Sequence, residues 1–168
     1  MSLGYLVLED GSVFPGVWNS SPALAHKAIK ERAGEVVFNT SHSGYEEIAT
    51  DPSYFSQIVV MTAPMQGNYG VDKKFWESRK IWIEGFICLQ LQKSNRDHSW
   101  LARLHENETP CLSEVDTRAL TLKLREGGTP WGAIVEANSE TEAKEKAKLL
   151  IVEKKKIENL HELRNQLQ

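Results

Sequence analysis

Long apolar stretches are missing from this sequence, and so is any excess of basic residues. No run approaches the about 20 apolar residues that span a bilayer, so no membrane-spanning helix is predicted. The formal net charge is −3 and the pI is near 6.0, whereas nucleic-acid-binding domains usually carry a basic excess. These absences argue against a membrane protein and against a nucleic-acid partner.

Cysteine is equally scarce, with only Cys88 and Cys111 in 168 residues. Two cysteines in a chain of this length do not form a disulfide framework, and free thiols are typical of a reducing compartment. The first residues, 1–4, lack the basic and apolar regions of a secretory leader. We therefore expect a cytoplasmic protein.

The composition itself, 40% hydrophobic and 26% charged, is that of a soluble globular protein. The length corresponds to about one domain. A chain of this size buries roughly 70% of its unfolded surface, which is enough for a core without disulfide or metal support.

The first third of the chain reads mainly as strands and turns. Residues 5–9 and 12–14 are short β-rich runs joined by Asp10-Gly11, which predicts a hairpin with a type I′ turn. Pro15-Gly16 is expected to end or bend the second strand. Residues 22–32 contain several alanine and aliphatic residues and predict a short helix.

Further strands follow, separated by turn-rich segments. Residues 34–39 predict a strand, and residues 55–63 a second one that is nearly continuously apolar, as expected when both faces are covered. The polar segment between them is expected to be a loop. Polar and apolar residues alternate over 80–84, and residues 86–89 are all apolar, so each segment predicts a strand. Residues 131–136 predict a further strand that returns to the sheet.

Two helices are predicted between these last strands, over residues 99–104 and 115–125. Ser113-x-x-Asp116 resembles a capping box for the second helix, and Gly127-Gly128 supplies its end. Strands first and helices later predict an α+β domain with a layered, mixed β-sheet.

The last thirty residues have a different character. Ser139-x-x-Glu142 is a capping box, and no Gly or Pro occurs after it. Apolar residues at helical spacing predict one or two amphipathic helices that need a partner surface, either in this domain or elsewhere. These residues are Leu150, Ile157, Leu160, Leu163 and Leu167.

No complete catalytic or metal-binding set is evident. Cys88 has Phe86 and Gln90 where a nucleophile elbow needs small residues, and no His-x-Glu follows, which favours a buried structural thiol over a small glutaminase using Cys88. Glu158-x-x-His161 is half of a di-iron motif without its other half. Structural or surface roles are favoured for the remaining candidates. His98 and His105 have no partners at zinc spacing, and His26 and His42 lie in unrelated segments. The turn at 67–70 lacks a phosphate-loop pattern, and the five tryptophans are typical of a core or an interface.

The middle of the chain resembles a known family through five ordered blocks and their flanks. The sequence from residue 5 to 135 is similar to the N-terminal domain of the small subunit of carbamoyl-phosphate synthetase. The blocks are Gly34-Glu-Val-Val-Phe-Asn-Thr40, Gly44-Tyr-Glu-Glu-Ile48, Thr50-Asp-Pro-Ser-Tyr54, Gln57-Ile58 and Gly67-Asn-Tyr-Gly70, with Asp116-Thr-Arg-Ala-Leu-Thr121 later.

This resemblance implies an α+β fold of the swivelling β/β/α type over residues 1–137. It implies that residues 138–168 are a helical linker toward a glutaminase domain that is absent from this sequence. The whole enzyme would hydrolyse glutamine and pass ammonia to a large subunit. That subunit would use bicarbonate, ATP and Mg to make carbamoyl phosphate for arginine and pyrimidine synthesis. This chain itself would hold no cofactor and would be non-catalytic.

The resemblance also implies one site residue, Ser53, in the Asp-Pro-Ser-Tyr motif. It would reach the glutamine pocket where this domain meets the glutaminase domain, while other surfaces dock the large subunit. A hydroxyl can donate to or accept from the polar groups of the substrate without a charge. Pro52 restricts Asp51 to extended geometry and so helps to fix the loop. Without the resemblance, Ser53 reads as a simple turn residue.

The alternative hypothesis is a free-standing protein-interaction module with no enzymatic role. It is motivated by the apolar stripe after Ser139 and by the lack of a catalytic set. A reading frame that continued past Gln168 into Gly-x-Cys-x-Gly and a later His-x-Glu would exclude it.

Overall fold

The computed structural model describes residues 2–41, 45–63, 65–66, 80–91 and 100–167. Nine strands lie within these ranges: β1 Ser2–Leu8, β2 Val13–Trp18, β3 Arg32–Asn39, β4 Gln57–Met61, β5 Met65–Gln66, β6 Gly85–Ile87, β7 Gln90–Leu91, β8 Cys111–Ser113 and β9 Trp131–Glu136. The α-helices are α1 Tyr45–Thr50, α2 Trp100–Glu106, α3 Thr117–Gly127 and α4 Glu140–Gln166, and 3₁₀ turns span Pro22–Leu24 and Pro52–Tyr54.

Seven strands form a closed barrel in the order β1, β2, β8, β6, β4, β3, β9. The β3–β4, β4–β6 and β6–β8 pairs are parallel, and the others are antiparallel. Antiparallel pairing of β1 with β9 closes the sheet, with Leu6 opposite Ile134. The short strands β5 and β7 form a separate parallel pair. Closure leaves the barrel sheet without an open edge.

Alternation along the strands divides the core into an interior and two outer layers. Leu6, Ile58 and Ile134 point into the barrel, where Leu120 and Leu124 of α3 join them. Their strand neighbours point outward. One outer cluster lies under α1 and α2, and the other lies under α4. Strand β4 is therefore covered on both faces, as its continuous apolar run predicts.

The first hairpin is confirmed, but its turn is not the predicted type I′ turn. A type I′ turn needs positive φ at two successive residues, and only Gly11 has one, at 92°. The connection is longer, with the Leu8 amide donating to Ser12 O at 2.9 Å. The second strand does not end at Pro15-Gly16, because β2 continues through both residues to Trp18.

Three other local predictions are wrong. Residues 22–32 form only a 3₁₀ turn before β3 rather than a helix. The polar segment after β3 contains α1, in which Tyr45 and Ala49 are buried. Residues 80–84 are not a strand, although Ile81 and Ile83 are buried as their alternation indicates. The first segment contacts α2, where the Ser21 amide donates to His105 Nδ1, and the buried residues of the other two belong to the cluster under α1 and α2.

The helix caps explain where α3 and α4 begin. The side chain of Asp116 accepts from the Ala119 amide at 3.0 Å, so Asp116 is the N-cap of α3 and the capping box predicted from Ser113 is wrong. The N-cap predicted for α4 is confirmed, because Ser139 Oγ accepts from the Glu142 amide, whereas Glu142 Oε2 accepts from the amide of Asn138, one residue before the N-cap.

Helix α4 buries a different face from the one its large apolar residues predict. Ala143, Ala147 and Ile151 are buried against the barrel, at i, i+4 and i+8. Leu160, Leu163 and Leu167 are more than half exposed. Tyr5 and Val135 lie on the outer surface of the barrel under α4. The small side chains of Ala143 and Ala147 let the helix pack closely against them.

An α+β domain with a mixed sheet and a C-terminal helix is thus confirmed. The sheet closes into a barrel, which was not predicted from the sequence, and the swivelling β/β/α arrangement stays a prediction. The division at residues 137 and 138 also stays a prediction. Among the described residues, no helix has both the length and the apolar content needed to cross a bilayer.

One open groove, of about 590 Å³, lies between the first hairpin and the end of α3. It is lined by Leu8, Asp10, Lys123 and Trp131, among others, and does not include Ser53. Asp10 Oδ2 lies 2.9 Å from Lys123 Nζ. The hydrogen bond from Lys123, followed by those from Ser12, lowers the pKa of Asp10 to about 2.

We expect this pair to contribute to acid stability. The folded pKa of Asp10 lies below its ordinary value, so its contribution is present above about pH 4 and is lost as the pH falls toward about 2. Its side chain is 49% exposed, so solvent screening limits the contribution to less than about 1 kcal/mol. Urea unfolding of Asp10→Asn should therefore lose less stability than the unchanged chain between pH 5 and 3. Equal losses would contradict this assignment.

Candidate functional site

Ser53 lies in the middle of a short loop between α1 and β4, which we call the Asp51–Ser56 loop. Its side chain is exposed. The described residues include no hydrogen-bond partner for its hydroxyl. Its amide, in contrast, donates to Asp51 Oδ1 at 2.9 Å. The loop therefore uses the backbone of Ser53 for its own structure and leaves the side chain accessible.

The first half of the loop is fixed by its own sequence. Asp51 has φ −80° and ψ 120°, the extended geometry that a following proline favours. Pro52 then occupies the first position of the 3₁₀ turn, where a missing N–H costs nothing. The carboxylate of Asp51 caps the turn through the Ser53 amide. The predicted effect of Pro52 on Asp51 is confirmed.

The second half is fixed by the neighbouring strands. Tyr54 Oη accepts from Asn39 Nδ2 at 3.1 Å, which ties the loop to the end of β3. Gly34, on the same strand, lies directly against the carbonyl oxygen of Ser56. A Cβ at Gly34 would overlap that backbone oxygen, so β3 approaches the loop as closely as only glycine allows.

Ser56 has an unusual backbone conformation and a long-range partner. Its φ is 67°, in the left-handed region that non-glycine residues seldom adopt. Its hydroxyl donates to Glu158 Oε1 of α4 at 2.9 Å, across 102 residues of sequence. The contact with α4 and the packing against Gly34 hold this conformation in place.

A chain of ion pairs lies beside the same contact. Glu84 accepts from Lys154 at 3.3 Å and from Arg32 at 3.4 Å, and all three side chains are less than one-quarter exposed. The pairs connect α4 with β3 and with the segment that precedes β6. Helix α4 is therefore held to the side of the barrel that carries the loop.

An exposed aromatic residue lies two positions after Ser53. Phe55 is 60% exposed, and its ring meets the edge of Trp82 with centroids 5.9 Å apart. Lys80 Nζ lies 4.7 Å from the centre of the Trp82 ring. The backbone joins the same residues to the loop and to α1, because Ser56 N donates to Trp82 O and Trp82 N donates to Ala49 O. Ser53 and Phe55 are thus two exposed residues of one supported loop.

The chemistry that this loop can perform is binding. A neutral hydroxyl can donate and accept hydrogen bonds, but it becomes a nucleophile only when a base takes its proton. No base within the described part of the chain is hydrogen-bonded to the hydroxyl of Ser53, because the carboxylate of Asp51 accepts from its amide instead. The arrangement suits recognition of a polar group presented by a partner.

The cysteines have the properties of structural thiols. Both are fully buried, and they lie on the neighbouring strands β6 and β8 or directly after them. The hydrogen bond with Cys88 and complete burial raise the pKa of Cys111 well above its ordinary value. Cys88 follows a strand and precedes β7, so it does not sit on a strand-to-helix elbow. The structure therefore supports the buried-thiol interpretation of Cys88.

The histidine and glutamate candidates are dispersed. Glu158 accepts from Ser56, whereas His161 is exposed farther along α4. His105 is buried, accepting from the Ser21 amide at Nδ1 and contacting Lys27 O at Nε2. In the described ranges no three His, Cys, Asp or Glu residues gather as metal ligands. His42, His98 and the turn at 67–70 lie outside those ranges, and His26 is exposed.

Several residues that hold the loop could not be assigned this role from the sequence, although Gly34 and Asn39 lie in a family block and Glu158 in the half di-iron motif. Gly34, Asn39 and Glu158 become partners of the loop only when the barrel closes and α4 packs on it. The exposed Phe55 and its neighbour Trp82 are also not distinguished in the sequence from the other aromatic residues. Only the Asp-Pro-Ser-Tyr motif pointed to this loop as a binding site.

Comparison with known proteins agrees with the blocks noted in the sequence. The family described as "Carbamoyl-phosphate synthase small chain, CPSase domain" matches residues 6–134. The chain is 47% identical over 135 residues to the carbamoyl phosphate synthase small chain of Caldanaerobacter subterraneus subsp. tengcongensis, covering 78% of this chain and 36% of that protein.

Other relatives give the same result. The carbamoyl phosphate synthase small chain of Methanococcus vannielii is 42% identical over 147 residues, covering 88% of this chain and 37% of the relative. The carbamoyl phosphate synthase small chain of Thermus thermophilus is 44% identical over 137 residues, covering 79% of this chain and 33% of the relative. The chain spans about one-third of the length of these relatives.

Proposed function

Because the chain belongs to the carbamoyl-phosphate synthase small-chain family, we propose that it is the non-catalytic, N-terminal part of a glutamine-dependent carbamoyl-phosphate synthase. In this proposal it docks the large subunit and packs against a glutaminase domain. It contributes Ser53 to the glutamine pocket at that domain junction. The enzyme hydrolyses glutamine and passes the ammonia on for carbamoyl phosphate synthesis.

The observation that supports the pocket role is the combination of an accessible hydroxyl and a fixed loop. Ser53 is exposed, whereas Asp51, Tyr54 and Ser56 all have hydrogen-bond partners. A group held in this way loses little conformational freedom when a ligand binds. Phe55 beside it offers an apolar surface for the domain that would complete the pocket.

The other parts of the proposal follow from the family. ATP and Mg belong to the large subunit, and this chain holds no cofactor of its own. The product serves arginine and pyrimidine synthesis, which are cytoplasmic pathways. The helix α4 is the connection toward the glutaminase domain, and it contacts the Asp51–Ser56 loop through Glu158.

A chimera tests the proposal. Residues 6–134 of this chain replace the matching segment of the Caldanaerobacter small chain, to which the chain is 47% identical. We expect the chimera to bind the large subunit of that enzyme and to support glutamine-dependent carbamoyl phosphate synthesis. The isolated 168-residue chain should show no glutaminase activity, because Cys88 and Cys111 are buried.

Two results would contradict the proposal. One is a folded chimera that hydrolyses glutamine but does not assemble with the large subunit. The other is glutaminase turnover by the isolated chain that persists in Cys88→Ala and Cys111→Ala, since this would reveal a catalytic site in the domain itself.

A further inference from the structure

The face of α4 that packs on the barrel changes from apolar to polar where the helix passes the Asp51–Ser56 loop. Its buried residues are Ala143, Ala147 and Ile151. Lys154 and Glu158 continue the same face, because at about 100° per residue all five positions fall within an arc of about 80°. Both are half-buried, whereas residues 159–167 are exposed. Glu158 is therefore the last half-buried residue in the described part of α4.

The amide, carbonyl and hydroxyl of Ser56 each contact a different part of the domain. The amide donates to Trp82 O at 3.3 Å, the carbonyl oxygen lies against Gly34, and the hydroxyl donates to Glu158 Oε1 at 2.9 Å. The φ of 67° is one that a residue with a side chain keeps only when its surroundings hold it there. Of these three contacts, only the one with Glu158 uses the side chain of Ser56, and through it α4 can act on the loop.

Ion pairs anchor α4 beside this contact. One turn before Glu158, Lys154 Nζ lies 3.3 Å from Glu84 Oε1. Glu84 also pairs with Arg32 at 3.4 Å, and its amide donates to the carbonyl of Gln57, the residue that follows the loop. The three paired side chains are less than one-quarter exposed. The carboxylate of Glu158 is thus held next to the loop by its neighbours on the helix as well as by its own hydrogen bond.

We propose that Glu158 is a positioning residue for the glutamine pocket. By accepting from the Ser56 hydroxyl, its carboxylate holds the last residue of the loop in the left-handed conformation, and this sets where Ser53 is presented. The inference rests on the proposed role of Ser53 in that pocket. The family match covers residues 6–134, and Glu158 lies beyond them, so the match does not assign this role.

Loss of the contact would displace the loop without unfolding it. Ser56 would be free to leave the left-handed region, and a change of φ at this position redirects the residues just before it, including Ser53. Tyr54 stays tied to Asn39 through its hydroxyl, which limits the displacement. Glycine adopts positive φ at no steric cost, so Ser56→Gly would keep the loop conformation without help from Glu158.

Amide hydrogen exchange of the 168-residue chain, measured by NMR, tests whether Glu158 holds the loop. The Ser56 amide reports on the loop, and the Val36 amide, which donates to Pro130 O at 2.8 Å, reports on the barrel. In Glu158→Ala we expect exchange at Ser56 to accelerate about 3- to 10-fold, the effect of losing one hydrogen bond, with exchange at Val36 unchanged. Glu162→Ala is the matched control, because it removes an exposed carboxylate one turn farther along α4, and it should change neither rate.

Two further variants separate the hydrogen bond from a general effect on the helix. Glu158→Gln keeps an oxygen that can accept from the Ser56 hydroxyl, so it should retain most of the protection at Ser56. In a Ser56→Gly background, Glu158→Ala should have no further effect, because the contact is already absent. Unchanged exchange in Glu158→Ala, or equal acceleration in Glu158→Gln and Glu158→Ala, would overturn the hydrogen bond as the restraint on the loop.

The glutamine KM tests the functional step. It is measured in a longer chimera, in which residues 1–168 replace the N-terminal segment of the Caldanaerobacter small chain and the large subunit is present. Glu158→Ala should raise the glutamine KM about 3- to 10-fold and leave carbamoyl phosphate synthesis from free ammonia unchanged. Glu158→Gln and Glu162→Ala should both stay close to the unchanged chimera.

Ser53→Ala in the same chimera distinguishes failure of this inference from failure of the proposed function. A KM raised by Ser53→Ala but not by Glu158→Ala would overturn the positioning role and leave the pocket role of Ser53 in place. A KM raised by neither variant, with exchange at Ser56 still accelerated in Glu158→Ala, would overturn the pocket role of Ser53. Glu158 would then support the loop without positioning a glutamine ligand.

Discussion

Gly34→Ala is expected to lower the free energy of unfolding by about 1–3 kcal/mol, the usual cost of forcing extra atoms into a well-packed site. The new Cβ would overlap the carbonyl oxygen of Ser56. That oxygen belongs to the backbone, so the overlap cannot be relieved by a change of side-chain rotamer. Either β3 or the Asp51–Ser56 loop must move, and Ser53 moves with the loop.

Gly127→Ala is the control for this substitution. Gly127 is the last residue of α3, and a Cβ there would meet no atom within 4 Å. Alanine is the better helix residue, so this variant should be neutral or slightly more stable. Denaturant unfolding of both variants measures the difference. Equal stability would mean that the close approach of β3 to the loop is not present in solution.

Trp100→Ala is expected to have the largest effect, about 3–5 kcal/mol, as for other buried aromatic residues replaced by alanine. Trp100 is 1% exposed at the start of α2. Its ring contacts Tyr45 and Phe86, with centroids 5.1 Å and 5.5 Å apart. The substitution therefore removes the centre of the outer cluster that joins α1 and α2 to the barrel.

Trp100→Ala would affect the Asp51–Ser56 loop by displacing α1. Tyr45 is the first residue of α1, and α1 leads directly into Asp51. Trp100→Phe keeps an aromatic ring between Tyr45 and Phe86 and should lose less than half as much stability. Domains usually have an unfolding free energy of about 5–15 kcal/mol, so the losses of both variants can be measured by denaturant unfolding. Similar losses for alanine and phenylalanine would contradict the assigned role of the ring contacts.

The sequence predicts most strands correctly because their side chains alternate or are continuously apolar. Strands β3, β4 and β9 all have buried centres, and each lies close to its predicted range. The cap of α4 is predictable for the same local reason, since Ser139 and Glu142 are only three residues apart.

Closure of the barrel is not predictable from such patterns. It depends on pairing β1 with β9, which lie more than one hundred residues apart in the sequence. The face of α4 that packs on the barrel is also hidden, because large apolar residues dominate the pattern whereas the barrel accepts Ala143 and Ala147. Both outcomes are set by tertiary packing rather than by local preference.

The candidate site was likewise predictable only in part, namely where the relevant residues are close together in the sequence. The family motif points to Ser53, and Pro52 predicts the geometry of Asp51. The support of the loop comes from Asn39, 15 residues before Tyr54, and from Glu158, 102 residues after Ser56. No local pattern relates these residues to one another, so the rigidity of the loop could only be found in the structure.

The glutamine KM of the chimera described above is the measurement that tests the central claim most directly. Ser53→Ala should raise this KM about 2- to 10-fold, because losing one neutral hydrogen bond costs about 0.5–1.5 kcal/mol. Carbamoyl phosphate synthesis from free ammonia should not change, since Ser53 is assigned only to the glutamine pocket.

Ser20→Ala is the matched control, because Ser20 is also an exposed serine but lies in the segment after β2. Its glutamine KM should equal that of the unchanged chimera. A raised KM in Ser53→Ala alone is the result expected if the loop completes the glutamine pocket. An unchanged KM in Ser53→Ala, with assembly intact, would show that this domain does not contribute Ser53 to glutamine binding.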